Sequence, residues 1–293
     1  MTTIAVTGAT GKLGSATIGF LLSRGTKPGD IVAVVRDPAK AESLAARGVQ
    51  LRRASYTDVN SLENALRGVD RLAFISTSAL GDERMLHHRN VVSAARTAKV
   101  GHILYTSVIK PAADAKFAAS PGHFHTEALV RETGIPFTFL RNNLYLDLVP
   151  LMFGGALASG TLAHNGGAGR IGFVARQDIA QAFAAMLTGT GHENRVYPIT
   201  AVSPYSLDDI AAALGRASGK QVVYQPLSTE DFRKLLDATP LPPPVITMTL
   251  ALGEAIRAGE FDAGSRDLER LMGHAPTTLE SFVANALAPQ ALQ

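Results

Sequence analysis

Short apolar runs and longer amphipathic stretches take turns along the first half of the chain. Ile4-Ala5-Val6 and Ile31 to Val35 are continuous apolar runs, and together with four further runs they predict strands at 3–7, 31–35, 49–54, 71–76, 102–106 and 136–140. Helix-type spacing fills the intervals near 12–24, 38–47, 59–67, 83–98 and 123–133. Strands and helices in strict alternation imply a parallel sheet covered by helices on both faces.

From about Asn142 the alternation weakens. A helical stretch runs into the glycine-rich segment ALASGTLAHNGGAGRIG, and FVARQDIAQAFAAMLTG then reads as a strand end followed by a helix opening near Asp178, whose carboxylate suits a helix N-terminus. Further on, Ser206-x-x-Asp209 and Ser228-x-x-Asp231 mark two helix starts of the capping-box kind, and Leu241-Pro242-Pro243-Pro244 breaks any helix that reaches it. The division expected is a sheet domain at 1–142 to which 168–199 returns, with 143–167 and 200–293 forming a smaller, partly helical lobe that holds substrate.

The first strand leads into Thr7 to Gly14, TGATGKLG, and an apolar helix-type run follows at once. Glycines at 8, 11 and 14 let backbone approach a pyrophosphate, while the opening helix offers unpaired N–H groups and the positive end of its dipole. The spacing is G-x-x-G-x-x-G, and strand before with helix after gives it the context of a dinucleotide turn. The fold class expected is therefore α/β: a Rossmann-type doubly wound parallel sheet with a smaller, partly helical C-terminal lobe. The second strand ends in Arg36, where a carboxylate would hydrogen-bond a free ribose 2′-hydroxyl; arginine there suits a 2′-phosphate and favours NADP(H) over NAD. Lys40 adds a second positive charge nearby.

Ligands of such sheets bind beyond the carboxyl ends of the strands. That rule selects Thr7, Gly8, Thr10, Gly11, Lys12, Leu13 and Gly14, with Arg36 and Lys40, then Ser76, Thr77 and Ser78, then Thr106 and Ser107, and finally Arg141 to Asn143. Composition narrows the chemistry. The 293 residues contain no cysteine, which excludes disulfides, thiolate catalysis and Cys-ligated zinc. Net charge is +3 with scattered Lys and Arg, so no nucleic-acid surface is indicated. No apolar run reaches the ~18 residues of a membrane span, and Met1-Thr2-Thr3 leads directly into the first strand, so a cytoplasmic location is expected.

Dehydrogenases that oxidise alcohols on this scaffold use a Tyr-x-x-x-Lys pair, in which lysine lowers the tyrosine pKa. None of the six tyrosines has Lys at the fourth following position. Where the pair belongs, the chain reads PGHFHTEALVRETGIP. His123 and Glu127 are four apart and share a helix face, so the carboxylate is expected to orient or charge an imidazole that hydrogen-bonds a substrate oxygen. His87-His88 and His123-x-His125 lack the third ligand of a zinc site, and no metal is expected.

TGATGKLG, VRDPAKA, FISTS, HRNVVSAARTAKVGHILYTS, HFHTEALVRETGIPFTFLRNNLY and GHENRVYPIT together resemble the atypical short-chain dehydrogenase/reductases with NmrA-like domains, nearest to the quinone and triphenylmethane-dye reductases among them. The likeness runs almost end to end and is weakest near 238–260. It implies an NADPH-dependent reductase of flat aromatic acceptors without metal or flavin. On this reading His123 polarises or positions the acceptor, Asn142 and Tyr145 wall the pocket, and the coenzyme supplies the hydride. The partner is a small aromatic molecule, with no nucleic acid and no membrane, and the chain is compatible with a homodimer. At Ser55 relatives tend to carry an acidic or otherwise polar residue. A non-catalytic NADP-binding redox sensor stands as the alternative, because the missing Tyr-x-x-x-Lys pair suits it equally.

Overall fold

The computed structural model describes residues 2–288. Its centre is a seven-stranded parallel sheet: β1 (Ile4–Val6), β2 (Ile31–Val35), β3 (Gln50–Arg53), β4 (Arg71–Phe74), β5 (His102–Val108), β6 (Phe137–Asn142) and β9 (Arg195–Ile199), in the order β3-β2-β1-β4-β5-β6-β9. The connections are α1 (Lys12–Ser23), α2 (Glu42–Ala45) preceded by a 3₁₀ turn, α3 (Val59–Leu66), α4 (Gly81–Thr97) and α5 (Ser120–Glu132). Every residue of β2 and β5 is buried, as strands covered on both sides must be. The predicted strands and helices of the first half all form, with ends displaced by a few residues.

The chain winds outward through β1, β2 and β3, then returns to place β4 on the other flank of β1. Neighbouring strands thus diverge in direction of progress at β1/β4, and the crevice beyond their carboxyl ends is where such sheets take ligands. One apolar layer joins the sheet to α1 and to α8 (Arg176–Thr188), through Leu13, Ile18, Leu21, Ile179 and Phe183; the opposite layer joins it to α3, α4 and α5 through Leu62, Leu66, Val91, Ala95 and Val130. β9 closes the sheet edge against β6.

The other elements form a second group, most of which shares an apolar cluster with Ile109 and Leu144 just past the ends of β5 and β6. It contains α6 (Val149–Phe153), α7 (Ala156–Ser159), β7 (Thr161–His164), β8 (Arg170–Ile171), β10 (Tyr205–Ser206), α9 (Leu207–Ser218), β11 (Val223–Pro226), α10 (Thr229–Asp237), α11 (Pro243–Arg257) and α13 (Leu279–Leu287). β7 pairs parallel with β11 and β8 antiparallel with β10. Ser206 caps α9 in a full capping box with Asp209, and the Ser228 hydroxyl accepts from the Asp231 N–H at the start of α10. The prolines separate α10 from α11 and then open the latter, Pro243 and Pro244 occupying first-turn positions where no N–H is missed. One helix departs from the expected division: α12 (Asp267–Met272) lies in the segment assigned to the lobe, yet Leu268 is fully buried in the sheet-side core with α8.

The two bodies are clasped at the segment 259–263. Asn143 Nδ2 donates to Phe261 O (2.9 Å) and Thr200 Oγ1 (3.1 Å), and Thr200 Oγ1 lies 2.7 Å from Ala263 O. Lys110 Nζ donates to the carbonyls of Gly259 and Asp262, while the Glu260 carboxylate accepts from the N–H groups of Lys116 and Phe117.

Candidate active site

The glycine turn has one tight requirement at each end. Gly8 has φ +59°, a conformation that other residues adopt only with strain. A Cβ on Gly14 would stand 2.3 Å from Gly8 O, so only glycine lets α1 start this close to the turn. Gly11 is the N-cap of α1 and no side chain caps the helix, leaving its first N–H groups open toward the crevice for an anion. Gly8, Thr10, Gly11 and Lys12 are exposed, whereas Thr7, Leu13 and Gly14 are buried. Thr7 serves the scaffold: its hydroxyl accepts from the Ile75 N–H (3.0 Å) and lies 3.3 Å from Ala73 O, fixing the β1 end to the β4 end.

Beside the β2 and β3 ends lies a cleft of about 340 Å³ lined by Arg36, Arg53, Ala54, Ser55, Asp58 and Ser61. Arg36 is exposed, and among the described residues neither Arg36 nor Arg53 forms an ion pair or a side-chain hydrogen bond. Two free guanidinium groups around one cleft are suited to a phosphate. Arg53 was missed by sequence reasoning, although it ends the third strand as Arg36 ends the second. Lys40, exposed on the 3₁₀ turn, does not line the cleft. Ser55 Oγ is 2.8 Å from Thr57 Oγ1.

The ends of β4, β5 and β6 are knitted together from beneath. The Ser76 N–H donates to Thr106 Oγ1 (2.9 Å), and the Thr77 N–H donates to His88 Nε2 (3.2 Å) while Thr77 Oγ1 contacts His87 Nδ1. Ser107 Oγ donates to Glu127 Oε1 (2.7 Å). Thr106 and Ser107 are buried with their hydroxyls committed to these contacts, so they build the floor; Ser76 and Thr77 are partly exposed, and Ser78 is exposed at the rim.

Glu127 does not orient His123, contrary to the expectation from their spacing. Its carboxylate accepts from Arg141 Nε (2.9 Å) and Nη2 (2.7 Å), with Arg131 at 4.0 Å, and both His123 and Glu127 are buried. His123 instead accepts at Nε2 from Arg84 Nη1 (3.0 Å), which leaves its proton on Nδ1, 2.7 Å from the Tyr105 hydroxyl. Burial, and then the Arg84 charge and His88, hold His123 well below the usual histidine range. A neutral imidazole with both nitrogens occupied is no proton donor to substrate. Burial likewise raises Tyr105, which keeps its proton.

Arg84 was also missed, and it had a readable signal. Positions 84, 88, 91, 92 and 95 form one helical stripe, so an arginine shares the buried face of α4 with histidine, valine and alanine. Gly122 makes room for it: a Cβ there would stand 2.5 Å from Arg84 Cδ.

Asn142 is buried at the β6 end. Its Nδ2 lies 3.5 Å from the half-buried Tyr145 hydroxyl, and its Oδ1 has no partner among the described residues. An unmatched acceptor at a strand end suits a ligand donor such as a carboxamide N–H. The Arg176 guanidinium lies 5.3 Å from the Tyr145 ring centre and pairs with Asp147 at 2.6 Å. Lys12, Ser15, Ala16, Asp147, Arg176 and Gln177 line a cleft of about 420 Å³ where α1 and α8 begin. Among the described residues no group of three or more His, Asp or Glu could hold a metal ion.

A crevice with an anion-ready turn in the middle, two arginines on one side and an unmatched amide on the other has the donor set for a phosphorylated dinucleotide. The NmrA-like family model matches residues 1–283. The chain belongs to the NmrA-like family. It is 40% identical to quinone oxidoreductase 2 of Escherichia coli over 285 residues, spanning 96% of this chain and 98% of that protein. Triphenylmethane reductase of Citrobacter sp. superposes with a TM-score of 0.91 at 38% identity, covering 98% of this chain and 100% of the other. An Escherichia coli NADPH-dependent quinone oxidoreductase solved with NADPH gives a TM-score of 0.91 at 38% identity over 97% and 99% of the two chains.

The resemblance read from the motifs is therefore upheld. In this NmrA-like chain the buried polar network of Arg84, His123, Tyr105 and Glu127 supports the strand ends from behind. The described residues around the crevice offer shape, hydrogen bonds and positive charge.

Proposed function

We propose that the chain is an NADPH-dependent reductase passing hydride to flat aromatic acceptors, quinones first and triphenylmethane-type dyes second. The observation that carries this reading is the pairing of the Gly8–Gly14 cradle with the Arg36–Arg53 cleft on one side of it and the Asn142 amide on the other. When bound, the reduced nicotinamide supplies the hydride. The open N–H groups of α1 hold the pyrophosphate, and Arg36 with Arg53 holds the 2′-phosphate. Ser76 and Asn142 orient the nicotinamide half, and Tyr145 walls the acceptor side. His123 acts from behind as a positioning residue that fixes Arg84 and Tyr105.

Such a site matches the chemistry asked of it. A quinone that takes up hydride needs one proton to become a quinol, and water supplies that proton, so orientation accounts for much of the rate. Every residue named comes from a single copy of the chain, and neither nucleic acid nor a membrane enters the reaction. No helix among the described residues is long and apolar enough to cross a membrane, and we place the reaction in the cytoplasm.

The test is purified protein with NADPH, followed at the nicotinamide absorbance against a panel of quinones and triphenylmethane dyes. Coenzyme oxidation that depends on acceptor, faster with NADPH than with NADH, is expected. Tight NADP(H) binding without turnover on any acceptor would replace the reductase by the redox-sensor alternative.

A further inference from the structure

Arg84 is a buried cation surrounded by neutral partners. Only 5% of it is exposed, and its donors go to Ala79 O (2.8 Å from Nε), Ser76 Oγ (2.9 Å from Nη1) and His123 Nε2 (3.0 Å from Nη1). Among the described residues no carboxylate lies within ion-pair distance. Glu127, on the helix that carries His123, is held by Arg141 and Arg131, so that neighbourhood contributes one more cation than it does anions to Arg84's surroundings. Burying a charge without a counter-charge is costly, and arginine does not relieve the cost by losing its proton at neutral pH. The carbonyl, the hydroxyl and the imidazole that accept from it are all uncharged, so none of them calls for a cation. The charge itself is therefore the feature that needs a use.

Its position supplies one. Ser76 ends β4, next to the β1/β4 crevice, and on the far side of the glycine turn from the Arg36–Arg53 cleft. With the phosphorylated ribose at Arg36, the opposite half of the dinucleotide reaches the β4 and β5 ends, one hydrogen bond in front of Arg84. The oxidised and reduced coenzymes differ there by one positive charge on the ring, and share everything at the other end.

We propose that Arg84 sorts the two redox states of the coenzyme by charge, favouring the neutral reduced ring and repelling the cationic oxidised one. The inference rests on the NADPH-dependent reading above. It assigns Arg84 a part in loading and release: reduced coenzyme is retained until hydride has left, and the ring that becomes positive is expelled. The acceptor's own affinity for electrons supplies the driving force that this bias consumes.

The experiment measures dissociation constants of NADPH and NADP⁺, by coenzyme fluorescence and by calorimetry, for the native protein, Arg84→Met and Arg84→Lys. A neighbouring unit charge at the effective dielectric of a partly solvated site is worth roughly five- to tenfold. The native protein is expected to bind NADPH more tightly than NADP⁺ by at least that factor, Arg84→Met to lose the preference, and Arg84→Lys to keep most of it. Arg36→Ala serves as the contrast, weakening both coenzymes in equal proportion. An NADPH/NADP⁺ ratio unchanged in folded Arg84→Met overturns the inference while leaving the reductase reading intact. Native protein that binds NADP⁺ as tightly as NADPH overturns it without any variant, should Arg84→Met fail to fold. Native protein that binds neither coenzyme overturns the underlying reading and this inference with it.

Discussion

The two ends of the crevice are built on opposite plans. At the β2/β3 end, Arg36 and Arg53 are free cations on an open cleft, held by little beyond their own backbone. At the β4/β5/β6 end, Ser76, Thr106, Ser107, Glu127, His88 and His123 are tied into a buried lattice of hydrogen bonds formed before any ligand arrives. Flexible charge suits a phosphate, which has the same tetrahedral face from many approaches. A prearranged floor suits the end where a planar ring must be set against a second planar ring, because misplacement by about 1 Å there can cost two orders of magnitude in rate.

Four measurements would break or sharpen that contrast. The largest effect is expected at the joint between the two ends: Gly14→Ala drives a methyl into Gly8 O and should weaken NADPH by roughly a hundredfold or more, about 3 kcal/mol, in a fluorescence titration. Unchanged affinity would mean that the turn does not carry the pyrophosphate.

Acid comes next, and it should strike the lattice end. Burial first, then Arg84 and His87, push the pKa of His88 down to about 3 from an ordinary 6.5. The unfolded chain takes up that proton near 6.5 and the folded one does not, so the stability is complete above that pH and drains away as pH falls. By about pH 5 the loss from His88 alone is about 2 kcal/mol, and His123 adds to it in the same direction. Urea melts at pH 7.5 and 5 read this directly; equal midpoints would show that these histidines are not held neutral.

At the open end the effects should be smaller and selective. Arg36→Ala is expected to weaken NADPH roughly tenfold, about 1.4 kcal/mol, and NADH by less than twofold. Equal losses would remove the 2′-phosphate assignment. Ser55→Ala should change NADPH affinity by less than about twofold, since that hydroxyl is already engaged by Thr57; a larger loss would give Ser55 a direct coenzyme contact.

What the sequence disclosed follows the same divide. Local signals were legible: the sheet strands of the first half, the glycine turn, and the caps at Ser206 and Ser228, each written within a few neighbouring residues. Arg36 could be placed because a strand end has a fixed position in a parallel sheet. The lattice was not legible, because the bonds at its centre join residues 18 to 39 apart whose side chains meet only when α4 and α5 pack against the β5 end of the sheet. The spacing of His123 and Glu127 correctly put both on one helix face; it could not say that Arg141, on the neighbouring strand, would claim the carboxylate. The short strands β7 and β11 pair across about sixty residues with no alternation long enough to announce them. Leu268 went to the sheet-side core for a similar reason, since nothing local separates one apolar helix face from another.

The clasp around 259–263 bears on how turnover proceeds. It joins carbonyls and the Glu260 carboxylate of that one segment to side chains and backbone at Lys110, Lys116, Phe117, Asn143 and Thr200, on three separate stretches of chain. Bodies riveted at so many points share little hinge freedom. Traffic through such an enzyme would be paced by the exchange of thin, flat molecules across a standing slot, and the breadth of its diet would be set by the slot's height.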